Sequence, residues 1–320
     1  MRPLGFGVIG ARSYVASRAV IPAIRACGST RLVAVASHGG PVPAGLEPLD
    51  AGSYAAVLAH PSVEAVYIPL PNGLHREWAE RAAAAGKHVL CEKPLAPTAW
   101  DAEAMFRAAA SAGVLLAEAW MTPFQPRWQR ALEVARSGRL GPIRHVRAEF
   151  TFTIPPDRAG DFRWDPAQGG GALNDVGIYC LGPAVELWGA EPAAIAARVS
   201  VGPTGVDATT EARCEWGGGR TASLLASFEL PERQVIEIIG ADGRLTVDDR
   251  AHTGGAGATS IELVHGDGRR ETLHLPDDDP YEGMVAAFAA AVRGVTPWPR
   301  PAAEVVASLR LLERIRSSAT

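Results

Sequence analysis

The sequence predicts two domains, an α/β domain with a doubly wound parallel sheet followed by an α+β domain built on an antiparallel sheet. Its 320 residues are about twice the length of a common domain. Over residues 1–120, strand and helix patterns alternate, which is typical of parallel strands joined by right-handed crossovers. Over residues 121–320, several strand patterns follow one another between helices, and this favours an antiparallel sheet.

The first domain begins with a short apolar strand that ends at Gly10. The run of β-branched residues and alanines at 31–37 is typical of a strand buried on both faces of a parallel sheet. Gly86 and Gly113 stand where helix C-caps are expected. The predicted strands are 4–9, 31–37, 64–68, 88–91 and 114–117, and the predicted helices are 15–27, 74–85 and 98–112.

In the second domain, turn signals such as Asp242-Gly243 and Asp267-Gly268 separate the strand patterns. A loop rich in proline, aspartate and glycine occupies 154–170. The predicted strands are 144–153, 193–201, 210–216, 221–229, 234–239, 260–265 and 270–275, and the predicted helices are 124–137, 171–188, 281–292 and 302–318.

Composition excludes several classes of function. The net charge of −4 argues against a partner bound through phosphate neutralisation, so no nucleic acid is expected. No run of 18 apolar residues predicts a membrane span, and the N-terminal segment does not resemble a secretory signal. Four cysteines without a CxxC pair indicate reduced thiols of a cytoplasmic protein, and no residue spacing predicts a metal site.

The loop after the first strand is the first candidate site. It stands at a strand end and a helix N-terminus, where backbone N–H groups and the helix dipole favour an anion such as a pyrophosphate. The glycine pattern is incomplete, because Arg12 occupies the second motif position after Gly10. An ordinary strand–helix turn remains the alternative. The residues expected to bind a dinucleotide here are Gly10, Ala11, Arg12, Ser13 and Tyr14.

The end of the second strand favours NADP(H) over NAD(H). An NAD site normally has a carboxylate there for the ribose 2′-hydroxyl, but this strand ends in Ser37-His38-Gly39-Gly40. A hydroxyl, an imidazole and the guanidinium of Arg12 suit a 2′-phosphate better. The alternative is that His38 and Arg12 are only solvent-exposed loop residues.

Two further loops follow strands at the carboxyl edge of the first sheet, where ligands bind in such folds. The first contains Pro69, Leu70, Asn72 and His75, and Asn72 is also a candidate helix N-cap. The second is Cys91-Glu92-Lys93-Pro94. Pro94 favours an extended conformation of Lys93, whose ammonium group can stabilise developing negative charge. Lys93 is one of only two lysines, although a solvated side chain is the alternative.

In the second domain, Gly169-Gly170-Gly171 leads into a helix that carries Asp175 and Tyr179. The two side chains are four residues apart and share one helix face. A phenol beside an ammonium group is a workable proton donor or acceptor for an alcohol/ketone pair. A core aromatic and a helix-start cap are the alternative interpretations of Tyr179 and Asp175.

Two segments, SVEAVYIPLPNGLHREWAERAAAAGKHVLCEKPLA at 62–96 and DFRWDPAQGGGALNDVGIYCL at 161–181, resemble signatures of the Gfo/Idh/MocA family (glucose–fructose oxidoreductase, inositol dehydrogenase, MocA). The resemblance implies a nicotinamide-dependent oxidoreductase that acts on sugars or cyclic polyols. It also implies an NAD(P)-binding Rossmann domain over 1–120. The remainder, 121–320, is then a substrate-binding and oligomerisation domain whose large, mainly antiparallel sheet forms a homodimer or homotetramer interface.

The same resemblance implies catalytic roles for Lys93, Asp175 and Tyr179. Arg163 and Trp164, in the loop before the glycine run, are candidate contacts to the sugar or the cofactor. The sequence departs from the family pattern in three places. Arg12 replaces a small residue, and the short segment 38–54 lacks room for the usual helix after the second strand. Met121-Thr122-Pro123 replaces an aromatic–arginine pair.

The leading hypothesis is an NADP(H)-dependent oxidoreductase that transfers a hydride between nicotinamide and a sugar CH–OH or C=O group. One alternative is a nucleotide-sugar 3-ketoreductase of a deoxysugar pathway, with the same residues. The other is a non-catalytic regulator that senses the dinucleotide, which the presence of Lys93, Asp175 and Tyr179 together disfavours.

Overall fold

The structure is a computed structural model that describes residues 2–155, 157–158, 160–254, 257 and 259–319. It divides into two compact units. The first, the Rossmann unit, contains the chain up to Met121 together with Tyr281–Val306. The second, the sheet unit, contains Thr122–Pro280 and the chain from Ala307 onward.

The Rossmann unit is built on a five-stranded parallel sheet in the order β2-β1-β3-β4-β5. Its strands are buried on both faces, which explains their continuous apolar sequences. The predicted doubly wound sheet is therefore confirmed. The strands are β1 Leu4–Ile9, β2 Thr30–Ala36, β3 Ala65–Ile68, β4 His88–Glu92 and β5 Leu116–Ala119. The helices are α1 Ile21–Ala26, α2 Tyr54–Ala59, α3 Asn72–Ala84 and α4 Ala99–Ser111.

The helices differ from expectation in two places. A six-residue helix, α2, follows the second strand, where none was expected; Ser53 caps it by accepting a hydrogen bond from the Ala56 N–H at 3.1 Å. The helix α3 begins at Asn72 rather than Leu74, and its N-cap is Pro71. The interpretation of Asn72 as an N-cap is therefore wrong.

Near its C-terminus the chain returns to the Rossmann unit, in contrast to the single second domain expected over 121–320. The helix α7, Pro280–Val292, places Phe288 5.7 Å from Phe6 of β1, measured between ring centroids. Phe288 is also 6.1 Å from Trp298. Because Phe6 and Phe288 are fully buried and Trp298 is half-buried, burial of apolar area accounts for the return of this segment.

The sheet unit contains an eight-stranded sheet in the order β13-β12-β11-β10-β6-β9-β8-β7. All neighbouring pairs are antiparallel except β6 and β9. This confirms the mainly antiparallel second sheet. The strands are β6 Ile143–Thr151, β7 Ala194–Val201, β8 Asp207–Trp216, β9 Arg220–Ser227, β10 Arg233–Gly240, β11 Gly243–Val247, β12 Ser260–His265 and β13 Arg270–His274. Of these, β11 was not predicted, because it is short and follows a tight turn at Asp242 directly.

Three helices complete the description: α5 Pro126–Arg136, α6 Ile178–Trp188 and α8 Ala302–Ser317. The helix α6 packs on β6 and β9 and buries one face of the sheet. The opposite face carries alternating charges, including Arg147, Glu211 and Arg213. Among the described residues, none of the helices combines the length and the apolar character needed to cross a membrane.

Candidate active site

The turn after β1 is fixed by Gly10 and by backbone hydrogen bonds. Gly10 adopts a φ of +99°, and a Cβ atom there would lie 2.8 Å from Leu70 Cδ2, so glycine is required. The N–H groups of Gly10 and Ala11 donate to the Ala36 carbonyl at 2.9 and 3.1 Å. The Ser13 N–H donates to Gly10 O at 2.9 Å. Gly10 thus holds the turn against the neighbouring strand ends.

The loop after β2 brings Arg12 and Ser37–Gly40 together. Arg12 Nη1 donates to Gly39 O at 2.9 Å. Ser37 Oγ is buried and has no hydrogen-bond partner among the described residues. His38 is exposed, and its backbone bonds the hydroxyl of Tyr54. A guanidinium, an imidazole and an unpaired hydroxyl, with no carboxylate between Ser37 and Leu46, fit the ribose 2′-phosphate of NADP(H).

His75 joins the two loops at the ends of β3 and β4. Its Nε2 atom lies 2.7 Å from Leu70 O, and its Nδ1 atom lies 3.1 Å from Pro94 O and 3.3 Å from Leu95 O. The ring is fully buried, and this desolvation lowers its pKa. Both ring nitrogens face backbone carbonyl groups, and the neutral ring donates one hydrogen bond from the nitrogen that carries the proton; the predicted cofactor contact of His75 stays a prediction.

Glu92 and Lys93 lie where β4 ends. Glu92 is buried and accepts a hydrogen bond of 2.6 Å from the hydroxyl of Tyr67. Burial, followed by the adjacent Glu92 carboxylate, raises the pKa of Tyr67 well above its usual value. Lys93 is half-buried, and the Lys93–Pro94 peptide is cis. Pro69 and Leu70 are buried, as is Asn72 at the start of α3.

The Rossmann unit contains a second buried network of polar groups, which the sequence analysis did not identify. Glu118 of β5 accepts a hydrogen bond from the Leu95 N–H at 2.8 Å and pairs with Arg300. The Arg300 guanidinium lies 4.3 Å from the ring centroid of Trp120. A glutamate inside the buried sequence of β5 was the available signal, whereas nothing in the sequence identifies Arg300 as its partner.

In the sheet unit, Asp175 forms an ion pair with Arg163. Arg163 Nε donates to Asp175 Oδ2 at 2.6 Å, and its Nη1 lies 3.3 Å from Asp161 Oδ1. The charge of Asp175 is the largest cause of the raised pKa of Arg163. Asp175 lies in a π-helical turn, Leu173–Gly177, that leads directly into α6.

Tyr179 stands in the first turn of α6 and is 7% exposed. Its ring lies 5.6 Å from that of Phe150 and 6.1 Å from that of His252. His252 stacks on Phe150 and its Nε2 lies 3.0 Å from Glu149 O. Complete burial lowers the pKa of His252 to about 4, so this ring is neutral at pH 7. The sequence analysis did not identify His252.

Trp164 belongs to the core of the sheet unit. It is 5% exposed and packs edge-on against Phe228 at 5.5 Å. A Cβ atom at Gly202 would lie 2.6 Å from its ring. Of the two predicted substrate contacts, Arg163 has the more accessible side chain, which is 31% exposed and whose guanidinium lies 4.9 Å from the ring centroid of Phe162.

Tyr14 and Ser13 complete the residues predicted for the cofactor. Tyr14 is 81% exposed, and Ser13 is half-buried in the turn after β1. Among the described residues, no group of three or more His, Cys, Asp and Glu side chains is arranged to hold a metal ion.

Comparison with known proteins gives two family matches that together cover most of the chain. Residues 4–119 match the oxidoreductase family with an NAD-binding Rossmann fold, and residues 128–246 match the GFO/IDH/MocA C-terminal domain. A D-xylose 1-dehydrogenase (NADP⁺) from Haloferax volcanii is 37% identical over 320 aligned residues, covering 98% of this chain and 97% of the relative.

Nucleotide-sugar enzymes are also similar. A dTDP-3,4-didehydro-2,6-dideoxy-α-D-glucose 3-reductase from Saccharopolyspora spinosa is 34% identical, with 94% of this chain and 91% of the relative covered. The crystal structure of a 3-ketoreductase from Actinomadura kijaniata, in complex with NADP and TDP-benzene, has a TM-score of 0.92 and 31% identity, with 99% and 98% covered. As its sequence predicts, the chain belongs to the Gfo/Idh/MocA family of oxidoreductases.

Proposed function

We propose that this protein is an NADP(H)-dependent oxidoreductase that interconverts a CH–OH group and a C=O group of a sugar. The observation that carries the proposal is the combination of a strand-end lysine, Lys93, with the helical pair Asp175 and Tyr179, in a chain similar over its length to an NADP⁺-dependent D-xylose dehydrogenase. The same observation argues against a non-catalytic regulator, which needs neither an acid–base group nor an ammonium group.

The dinucleotide site follows from the geometry of the Rossmann unit. The turn from Gly10 to Tyr14 would hold the pyrophosphate at the start of the following helix, where the helix dipole favours an anion; the N–H groups of Gly10, Ala11 and Ser13 already bond backbone carbonyls. Arg12 would hold the 2′-phosphate, with Ser37 and His38 as further donors. The strand-end loops hold the nicotinamide end, which supplies or accepts the hydride, and they contain Pro69, Leu70, Asn72, Glu92 and Lys93.

The chemistry of the protein side chains is a proton exchange. In the oxidative direction Tyr179 receives the hydroxyl proton while the carbon–hydrogen bond breaks, and in the reductive direction it returns that proton to the carbonyl oxygen. Lys93 donates a hydrogen bond to the same oxygen and stabilises its developing negative charge. Asp175, oriented by Arg163, binds a neighbouring hydroxyl of the substrate. Arg163 is the proposed sugar contact, and Trp164 packs in the core of the sheet unit.

A nucleotide-sugar 3-ketoreductase is the second candidate function. It is favoured by the similarity to the Actinomadura kijaniata enzyme, whose structure contains TDP-benzene. The catalytic residues would be the same, but the substrate would also carry a nucleoside diphosphate. The physical difference is the need to bind two further negative charges beside the sugar.

A substrate panel tests the proposal and separates the two candidates. Purified protein is supplied with NADP⁺ and free aldoses, including D-xylose, or with NADPH and a keto nucleotide-sugar, and the NADPH absorbance is followed. We expect turnover with a free aldose and a lower KM for NADP⁺ than for NAD⁺. Turnover of the nucleotide-sugar alone would favour the second candidate. Binding of NADP⁺ without turnover of any sugar would favour the regulator.

The assembly and compartment belong to the same proposal. The open face of the sheet carries ion pairs such as Arg147 with Glu237 at 3.6 Å and Arg213 with Glu215 at 3.2 Å. Because this pattern contains both signs of charge, two copies of the face can complement each other in a homodimer or homotetramer, which light scattering would measure. Four buried cysteines outside any disulfide support a cytoplasmic enzyme.

A further inference from the structure

We propose that Glu118 and Arg300, together with His75, are positioning residues that hold the loop of Lys93. This inference rests on the proposed function, because it takes Lys93 as the lysine that contacts the substrate oxygen. None of the three side chains is assigned contact with the sugar. They act on the backbone that carries Lys93.

The loop is held from two sides. Glu118 Oε1 accepts a hydrogen bond from the Leu95 N–H at 2.8 Å. His75 Nδ1 faces the carbonyl groups of Pro94 at 3.1 Å and Leu95 at 3.3 Å. Both the donor and the acceptor groups of the segment directly after Lys93 therefore end on buried side chains.

The ion pair between Glu118 and Arg300 carries a desolvation cost. The side chain of Glu118 is 0% exposed and that of Arg300 is 6% exposed, so two charges are removed from water. Buried ion pairs of this kind are often no more stabilising than apolar side chains of the same size. Burial lowers the pKa of Arg300 to about 10, which leaves the guanidinium charged at neutral pH. A contribution to stability therefore does not explain the pair, whereas a fixed loop beside a catalytic lysine does.

The Rossmann unit contains a similar arrangement at the opposite end of its sheet. Glu64 accepts a hydrogen bond from the Gly5 N–H at 3.1 Å and pairs with Arg293 at 3.0 Å. As with Glu118, the arginine comes from the returning segment Tyr281–Val306. Glu64 lies at the amino ends of the strands, whereas ligands bind at the carboxyl ends. Glu64 is 21% exposed and also pairs with Arg2, so it controls for the removal of a paired glutamate charge away from the site but not for burial.

The substitution Glu118→Gln disturbs this arrangement with little change in volume. The glutamine oxygen can accept from Leu95 N–H or from Arg300, but its amide nitrogen then faces the other donor. One contact is lost in either orientation, and the loop moves. A displacement of about 1 Å at a reacting group can reduce a rate by about 100-fold.

The experiment compares kcat, KM and NADP⁺ affinity in four variants: Glu118→Gln, Glu64→Gln, Lys93→Ala and the double variant Glu118→Gln/Lys93→Ala. The assay uses NADP⁺ with D-xylose, or with the sugar of the panel that reacts fastest. We expect Glu118→Gln to lower kcat about 10- to 100-fold. The Kd for NADP⁺ stays within about twofold, and Glu64→Gln retains the wild-type kcat. Because Glu118 acts through Lys93, the double variant is no slower than Lys93→Ala.

Wild-type kcat in Glu118→Gln, or losses that multiply in the double variant, would overturn the positioning role. A Lys93→Ala variant with normal turnover would instead refute the proposed function, so the two failures are distinguishable. The pH profile of kcat supplies a readout that a merely structural role would not move, because a displaced ammonium group alters proton exchange at Tyr179. If Glu118→Gln does not fold, Arg300→Lys and His75→Asn carry the same test, and a wild-type kcat in both rejects the proposal.

Discussion

The two ends of the proposed dinucleotide site are built from different loops at the same edge of the parallel sheet, and they differ in burial. At the adenosine end, Arg12 and His38 are exposed, and the contact of Arg12 with Gly39 O is a single hydrogen bond to backbone. At the nicotinamide end, His75, Glu92 and Glu118 are buried, and the two carboxylates accept hydrogen bonds of 2.6 and 2.8 Å from the Tyr67 hydroxyl and the Leu95 N–H.

The difference in burial determines how much it costs to replace a polar side chain at each end. A polar group that is exposed costs little when it is replaced, because water takes over its hydrogen bonds. A polar group that is buried must keep its partners, because an unsatisfied one costs about 1–3 kcal/mol. We infer that the adenosine end can change cofactor preference by single substitutions, whereas the nicotinamide end fixes the geometry of the reaction.

The largest effect should come from the chemical groups themselves. Lys93→Ala and Tyr179→Phe are each expected to lower kcat by about 10²–10⁴-fold, the range for loss of a proton-transfer or charge-stabilising group. Binding of NADP⁺ should persist, since neither substitution changes the adenosine end. Steady-state kinetics and NADP⁺ titration by calorimetry measure the two quantities. Turnover near the wild-type value in both variants would contradict the assignment.

The sequence could predict those features of the proposed site that depend on residues close together in the chain. Lys93, Asp175 and Tyr179 each stand in a short motif at a recognisable strand or helix end. The Ser37-His38 ending of β2 likewise indicated the preference for a 2′-phosphate without any contact across the fold.

The remainder depends on contacts between distant residues. Glu118 and Arg300 are 182 positions apart, and no spacing rule connects them. His252 stacks on Phe150, about a hundred residues earlier, in a loop whose sequence has no regular pattern. The sequence also does not predict that Tyr281–Val306 returns to the Rossmann unit, because an apolar helix has the same sequence pattern in either unit.

A prediction of intermediate size concerns the pH dependence of stability. It extends the comparison of buried with exposed side chains to the sheet unit. His252 is buried and neutral, and its pKa falls from 6.5 to about 4 on folding. The unfolded chain therefore binds a proton that the folded chain rejects, and stability present above pH 6.5 is lost as pH falls towards 4. This shift corresponds to about 3 kcal/mol.

Urea unfolding at several pH values between 7 and 4 measures this loss for the wild type and for His252→Asn. The lowered pKa values of His75, His88 and His145 act in the same direction in both proteins, so the difference between the two curves isolates His252. The variant should be less stable at pH 7 but lose less stability on acidification. The control His38→Asn, at an exposed position, should follow the wild-type curve. Parallel curves for wild type and His252→Asn would disprove the assignment.

The smallest effect should arise at the adenosine end. Arg12→Ala removes one guanidinium from the proposed 2′-phosphate, and a hydrogen bond to a charged group contributes about 1.5–3 kcal/mol when buried and less when exposed. We therefore expect the KM for NADP⁺ to rise about 10-fold, while kcat and the KM for NAD⁺ remain unchanged. The control Arg18→Ala removes an exposed arginine six residues further along and should leave all three constants unchanged. Because Arg12 contacts only the exposed loop, a fall in kcat would show that the two ends of the site are coupled. Equal losses for NADP⁺ and NAD⁺ would place Arg12 at the pyrophosphate instead of the 2′-phosphate.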